Sequence, residues 1–193
     1  MRANRKDINS LIQKEYEDQY ELSQNLLQMI YNARTALKKL KVIRTNKLAG
    51  ADYAEWIVSI ITGAKINDDA SNEGFDLVYG KGVSKKKIEV KSRMVKDIDK
   101  YTEFHISSES DKKHFKCDEL YCILLNEKFE ILLIMKIAFN NGAFDRLLNN
   151  NLIKLNDKMK KDRFTISWSK SRKNKFINFS KDNSDVFDIL YIV

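Results

Sequence analysis

The stretch "GFDLVYGKGVSKKKIEVKSR" (residues 74–93) contains two short apolar segments separated by a turn rich in glycine and lysine. The glycines favour a tight connection, and the alternation of apolar and polar residues in "KIEVKS" is typical of a strand. We therefore predict a β-hairpin with strands at 75–79 and 87–92. The candidate site and the remaining elements are placed relative to this hairpin.

Three charged residues give the hairpin a possible chemistry. Side chains alternate along a strand, so Glu89 and Lys91 lie on the face opposite Ile88 and Val90. Folding the hairpin brings Asp76 towards Glu89. Two close carboxylates repel each other unless a cation lies between them, and Mg²⁺ accepts one or two carboxylates as ligands. A lysine ammonium beside them can orient an attacking water molecule and stabilise charge on a phosphate.

Any half-exposed strand shows the same alternation, so the rest of the chain has to support the site. The same acid-x-lysine spacing recurs at Asp111 and Lys113, but in a polar stretch without β-branched neighbours. A helix predicted over "LAGADYAEWIVSIITGAK", with Gly63 as its C-cap, carries Glu55 within a largely apolar segment. Glu55 either lies on the exposed side of this helix or faces the sheet. A buried carboxylate is costly unless it is paired, so in the second case it would join the same site.

This combination of a helix Glu, a strand Asp and a strand Glu-x-Lys resembles the PD-(D/E)xK nuclease superfamily over about residues 49–137. The resemblance implies an α/β fold of the restriction-endonuclease-like type, with a mixed central β-sheet flanked by helices. By position, it implies that Asp76 and Glu89 bind Mg²⁺, that Lys91 positions the attacking water, and that Glu55 is a supporting metal ligand. One position departs from the motif, because Phe75 replaces its proline and the chain contains no proline.

The resemblance implies a Mg²⁺-dependent endonuclease acting on double-stranded DNA without a nucleotide cofactor, and the size of the chain favours a type II restriction endonuclease. Cutting both strands of a palindrome calls for a homodimer. Two alternatives remain open. A structure-selective repair nuclease or junction resolvase would use the same chemistry on branched DNA. A non-catalytic nucleic-acid-binding module would use only the basic surface, with Glu89 and Lys91 pairing on a sheet.

The segment 154–181 carries ten Lys or Arg and two acidic residues. Its formal charge of +8 equals the formal net charge of the whole chain. Such a segment either follows a phosphate backbone or forms a solvated surface. Ser92 and Arg93, directly after the candidate lysine, are further candidates for substrate contact. The expected DNA-contacting residues are Ser92, Arg93, Lys170, Arg172, Lys173 and Lys175.

The spacing of apolar residues predicts the other helices and strands of the chain. Apolar residues recur at nearly 3.6-residue spacing through 5–41, which predicts a long helical arm that packs on the core, forms a dimer interface or holds a partner. We expect the arm at 1–48, the nuclease core at 49–150, and a basic segment at 151–193 that completes the same domain. Further strands are predicted at 103–106, 119–125, 129–137 and 162–170, with a helix within 138–149, around a central sheet.

Composition limits the other classes of function. No apolar run is long enough to span a bilayer and no signal-peptide core is present, so we expect a cytoplasmic protein that does not bind membranes. Cys117 and Cys122 lack the companions of a zinc site, and Cys122 is expected to be a buried apolar residue. His105 and His114 lie in no recognisable nuclease motif. The lysines 85–87 could grip a phosphate but are more typical of a solvated turn.

Overall fold

The computed structural model describes residues 11–12, 14–39, 50–67, 75–80, 85–107, 117–140, 142–155 and 163–193. The helices in these ranges are α1 (Glu17–Lys39), α2 (Gly50–Thr62), α3 (Ala143–Asn149) and α4 (Lys170–Asp182), and a short 3-10 turn, Lys14–Tyr16, precedes α1. The strands are β1 (Lys65–Ile66), β2 (Leu77–Tyr79), β3 (Lys86–Met94), β4 (Thr102–Ser107), β5 (Glu119–Leu125), β6 (Ile131–Ala138), β7 (Ile153–Leu155), β8 (Arg163–Trp168) and β9 (Phe187–Ile192).

A six-stranded mixed sheet forms the centre of the fold, in the order β1-β2-β3-β5-β6-β9. β3 and β5 are parallel, whereas the other neighbouring strands are antiparallel. Every residue of β5 is buried, because both faces of this strand are covered. The mixed α/β class with a mixed central sheet, predicted from the sequence, is confirmed.

A second sheet of three strands, in the order β4-β8-β7, packs beside the first. The strands predicted at 103–106 and 162–170 both exist, but they pair with each other and not with the central sheet. A parallel pair such as β3 and β5 needs a long crossover connection, and β4 lies in this connection. The expectation of strands arranged around one central sheet is therefore incomplete.

The C-terminal part differs most from the sequence prediction. The strand predicted at 162–170 ends at Trp168, and Lys170 already begins α4. Neither this helix nor β9, which adds the last strand to the central sheet, was predicted. α4 buries only Phe176 and Phe179, so its apolar face is too narrow to give a clear helical period against its many charges.

Two apolar cores lie on the two sides of the central sheet. The first contains the apolar face of α2 together with Ile88 and Val90, and residues of α1 pack against it. The second contains residues of β4, β8, α3 and α4, as well as Cys122, which is buried as expected. Of the predicted helix at 5–41, the part that falls within the described residues is helical from Glu17 to Lys39. Within the described ranges, no helix combines the length and the apolar character needed to cross a membrane.

Candidate metal-dependent active site

The β2–β3 hairpin brings Asp76 and Glu89 to neighbouring positions. The register pairs Leu77 with Ile88, and the next pair outward in the same antiparallel register is Asp76 and Glu89. The Asp76 main-chain N–H donates to the Ile88 carbonyl at 2.8 Å. The Val90 N–H donates to Asp76 Oδ2 at 2.6 Å, which fixes the carboxylate against β3. The convergence of the two carboxylates follows from strand pairing.

The alternation of β3 divides its side chains between the two faces of the sheet. Ile88 and Val90 are buried in the core that contains α2. Glu89 and Lys91 point to the other face, with side chains 15% and 30% exposed, and Lys91 Nζ contacts Glu89 Oε1. The face assignment predicted for all four residues is confirmed. The acidic pair and the lysine therefore share one half-buried surface.

The local electrostatics disfavour two charged carboxylates at this place. Burial raises the pKa of Asp76, although the Val90 N–H and the Lys91 ammonium oppose the shift. Burial also raises the pKa of Glu89; the hydrogen bond from Lys91 opposes this shift, and the charge of Asp76 adds to it. A cation between the carboxylates would remove both the repulsion and part of the cost of desolvation. Perturbed acids in contact with a lysine are typical of functional sites.

Glu55 belongs to the same electrostatic neighbourhood. It lies in the second turn of α2, is half-buried, and has a pKa raised to about 7. Burial is the main cause, and the negative charge of Asp76 adds to it. Asp52 and Glu89 contribute further repulsion, which Lys91 partly offsets. Glu55 is therefore half-buried on α2 and within reach of the charges of the hairpin, but it does not form a three-carboxylate metal group with Asp76 and Glu89 among the described residues.

A divalent cation that needs few protein ligands fits this donor set. Among the described residues, no group of three or more His, Cys, Asp or Glu side chains could hold a metal ion by itself. A closed tetrahedral site of the zinc type is therefore not formed by those residues. Mg²⁺ keeps several waters and uses one or two carboxylates together with substrate phosphate. Asp76 and Glu89 supply such a pair, with Glu55 close enough for their charges to raise its pKa.

The residues that follow Lys91 on β3 connect the site to the second sheet. Arg93 Nε donates to the Glu103 carbonyl at 2.9 Å, and Arg93 Nη1 donates to the Ser92 carbonyl at 3.0 Å. The first bond holds β3 against β4, and the second lies within β3. The expected role of Ser92 and Arg93 in DNA contact stays a prediction, and the structure adds a structural role for the guanidinium group.

The four basic residues predicted on the C-terminal segment divide into two pairs. Arg172 donates to the Ser167 carbonyl at 2.7 Å and stacks over the Phe176 ring, and burial lowers its pKa. Lys173 donates to the Val193 carbonyl at 3.1 Å. These two residues hold parts of the fold together. Lys170 and Lys175 are exposed, and Lys170 forms an ion pair with Asp99 at 3.2 Å.

A second polar group that sequence reasoning missed lies on the outer face of the β4–β8 sheet. The His105 ring contacts Thr165 Oγ1 at 3.1 Å, and its Nε2 lies 3.7 Å from a carboxylate oxygen of Glu103. Ser167 donates to the same Glu103 carboxylate at 3.4 Å. The alternation in "TEFHIS" was the available signal, because it places Glu103 and His105 on one face. His114 lies outside the described residues.

Buried Glu119 is the other charged residue that was missed. It forms ion pairs with Lys86 at 3.2 Å and with Lys136 at 3.1 Å, and it lies on the face of the sheet opposite to Glu89. Lys87 lies over the Phe75 ring at 4.8 Å. Lys86 and Lys87 therefore each contact a neighbouring side chain, and all three lysines at 85–87 are exposed.

Comparison with known proteins adds no family to this description. No protein-family profile matches the chain, and no curated protein matches it at a significant level. The functional argument therefore rests on the geometry of the hairpin and of α2.

Proposed function

We propose that the protein is a Mg²⁺-dependent endonuclease of the PD-(D/E)xK type that hydrolyses phosphodiester bonds in double-stranded DNA, as type II restriction endonucleases do. The observation that carries the proposal is the placement of Asp76 beside Glu89 on paired strands, with Lys91 touching Glu89. The mixed sheet with a parallel β3–β5 pair is compatible with a restriction-endonuclease-like fold.

The acidic residues would hold the metal ion. Asp76 and Glu89 are the ligands, and Glu55 supports them from α2, in agreement with the raised pKa of all three. When bound, Mg²⁺ neutralises the negative charge that develops on the phosphodiester during attack by water.

Lys91 acts next to the acidic pair. Its ammonium group, held by Glu89, donates a hydrogen bond that orients the attacking water molecule and stabilises charge on the phosphate. The half-buried environment strengthens this interaction, because fewer water molecules screen the charges. Lys91 is thus the residue that contributes most to the chemical step without binding the metal.

The exposed lysines of α4 are the proposed contacts with the DNA backbone. Lys170 and Lys175 reach solvent, whereas the heads of Arg172 and Lys173 bond to main-chain carbonyl groups. Phosphate contacts of this kind position the duplex without reading its sequence. A cytoplasmic location and cleavage by a homodimer, one active site for each strand, complete the proposal.

The test is incubation of the purified protein with plasmid DNA in the presence of Mg²⁺ or EDTA. Discrete fragments that require Mg²⁺ and have fixed end sequences support the restriction activity. Cleavage of branched DNA but not of linear duplex would assign the chemistry to a junction-selective nuclease. Retarded migration of DNA without cleavage of any of several substrates would contradict catalysis and leave only a binding module.

Metal binding provides a second prediction that does not depend on finding the right DNA. We expect the wild-type protein to bind Mn²⁺ or Mg²⁺ in isothermal calorimetry, and Asp76→Asn to lower the affinity by at least about tenfold because a charged ligand is lost. The Asn variant keeps an oxygen that can accept from the Val90 N–H, so the hairpin should remain intact. Glu127→Gln, in the exposed β5–β6 turn, is the matched control. Equal affinity in Asp76→Asn and wild type would contradict the proposed ligands.

A further inference from the structure

A cavity of about 260 Å³ opens on the face of the central sheet against which α2 packs. Glu89 and Lys91 project from the opposite face, because they alternate along β3 with Ile88. The cavity is therefore separate from the proposed metal site. Apart from the end of α2, its lining residues are Tyr79, Lys86, Ile88, Glu119, Tyr121 and Lys136.

Two lysines at this cavity share one carboxylate oxygen. Lys86 Nζ lies 3.2 Å from Glu119 Oε1, and Lys136 Nζ lies 3.1 Å from the same atom. The two ammonium groups can therefore be no farther apart than the sum of these distances. Glu119 is 6% exposed, and its Oε2 accepts from the Tyr121 hydroxyl at 3.4 Å. A buried and fixed carboxylate thus holds two cationic groups side by side at the cavity.

The lining keeps both donors and positive charge for a ligand. An ammonium group has three N–H donors, and one oxygen shared by two lysines cannot engage all of them. Two lysines outnumber the single carboxylate of the lining, and the carboxyl end of α2 adds only about half a negative charge. Asp188 lies opposite Lys136 on β9, but it is outside the lining and accepts from Ser180 at 3.3 Å. The charges at the cavity therefore favour an anion.

The rest of the lining is apolar or aromatic. Ile88 and the Tyr121 ring are buried, and the Lys136 ammonium lies over this ring at 5.9 Å. Tyr79 is 50% exposed and pairs with Lys86 at the end of the hairpin. An exposed tyrosine beside a cationic group is suited to contact with a planar ring.

We propose that the cavity binds a small phosphate monoester with a planar ring, of the nucleoside monophosphate class, with its phosphate between Lys86 and Lys136 and its ring against Tyr79. Lysine is a common phosphate ligand that acts as a point charge, whereas planar carboxylates are more often held by the fork of an arginine. The volume lies just below the lower limit of roughly 300 Å³ for sites of drug-sized ligands, which fits a ligand of this size with its ring at the open side. A monophosphate has no phosphoanhydride bond, so it adds no energy-yielding cofactor to the proposed reaction.

Titration of the ¹⁵N-labelled full chain with adenosine monophosphate in EDTA maps the site without any substitution. We expect a dissociation constant below about 1 mM and saturable shifts in the amide signals of Tyr79, Lys86 and Glu119. Adenosine lacks the phosphate and inorganic phosphate lacks the ring, so each should bind at least about tenfold more weakly. The proposal would be overturned by shifts confined to α4 or to the surroundings of Lys91, by no saturable shift, or by equal affinity for inorganic phosphate and adenosine monophosphate.

Two substitutions separate the phosphate contact from the ring contact. Lys86→Met should lower the affinity for adenosine monophosphate and for inorganic phosphate at least about fivefold, because a charge-assisted hydrogen bond is lost. Glu119 keeps Lys136 in this variant, and thermal unfolding checks that the fold is retained. Tyr79→Ala should lower the affinity for adenosine monophosphate alone. Lys128→Met, in the exposed β5–β6 turn, is the charge-matched control and should bind like wild type. Undiminished binding by Lys86→Met would contradict the phosphate contact.

The binding test is independent of the proposed nuclease activity. EDTA removes divalent cations, and Asp76→Asn and Lys91→Met, which change the opposite face of the sheet, should bind adenosine monophosphate like wild type. Binding by a protein that cleaves no DNA would contradict the proposed function alone. A nuclease that does not bind adenosine monophosphate would contradict the cavity proposal alone.

Discussion

Lys91→Met is expected to lower the rate of Mg²⁺-dependent DNA cleavage by about 10²–10³-fold while the protein still folds and binds DNA, because a positioned donor at the reacting phosphate is lost. Asp76→Asn is expected to lower the rate at least as much through loss of the metal ion. The measurement is single-turnover cleavage of a plasmid or of a duplex that contains the mapped site. Lys96→Met, an exposed lysine just after β3, is the matched control and should cleave normally.

The two variants fail in distinguishable ways. Asp76→Asn should lose metal affinity in calorimetry, whereas Lys91→Met should keep most of it, because the lysine only neighbours the ligand Glu89. Thermal unfolding of both variants should stay close to wild type, since each substitution is of similar size and the Asn retains an acceptor for the Val90 N–H. Undiminished cleavage by both variants would place the chemistry elsewhere in the molecule.

The candidate site was largely predictable because it depends on local rules. The two-residue period of a strand places Glu89 and Lys91 on one face, and the hairpin pairing then puts Asp76 opposite Glu89. The orientation of Glu55 could not be derived in the same way. It depends on how α2 is rotated against the sheet, which the contacts of Ala54 and Ile57 with the buried core decide.

The arrangement of strands was predictable only where the pairing partners are close in sequence. The β2–β3 hairpin follows from the alternation in β3, and the β5–β6 hairpin follows from two apolar runs joined by a short turn. The second sheet requires Glu103 to pair with Ser167, which lies far along the chain. No local sequence pattern predicts a contact between residues so distant in sequence. The alternation of β4 and β8 therefore predicted strands correctly but not the sheet to which they belong.

Charge in the C-terminal segment was visible in the sequence, but the partners of the charged groups were not. The run at 154–181 looked like one basic surface. Its described residues are divided among β7, β8 and α4, and the guanidinium of Arg172 is turned inward to the Ser167 carbonyl and over the Phe176 ring. Long basic side chains commonly pack their stems and bond to main-chain carbonyl groups, which composition alone does not reveal.

Glu55→Gln is expected to stabilise the metal-free protein at pH 8 by about 1 kcal/mol and to leave its stability nearly unchanged at pH 4 to 5, after allowance for solvent screening at a half-exposed group. The pKa of Glu55 is raised from 4.5 to about 7 in the folded protein. Between these values the folded state holds a proton that the unfolded chain has released. Stability therefore falls as the pH rises through this window, and the loss is complete above about 7. Glutamine remains neutral throughout and avoids the loss.

Urea unfolding in EDTA at pH 5 and pH 8 measures this difference, with Glu127→Gln as the control in an exposed turn. Addition of Mg²⁺ at pH 8 should reduce the difference in unfolding free energy between Glu55→Gln and wild type. A cation held by Asp76 and Glu89 neutralises the charges that repel Glu55. The pH dependence measures the raised pKa of Glu55, and the Mg²⁺ effect measures the part of it that comes from the charges of Asp76 and Glu89. If Glu55→Gln were no more stable than wild type at pH 8 without metal, the pKa of Glu55 would not be raised, and only Asp76 and Glu89 would remain as candidate ligands.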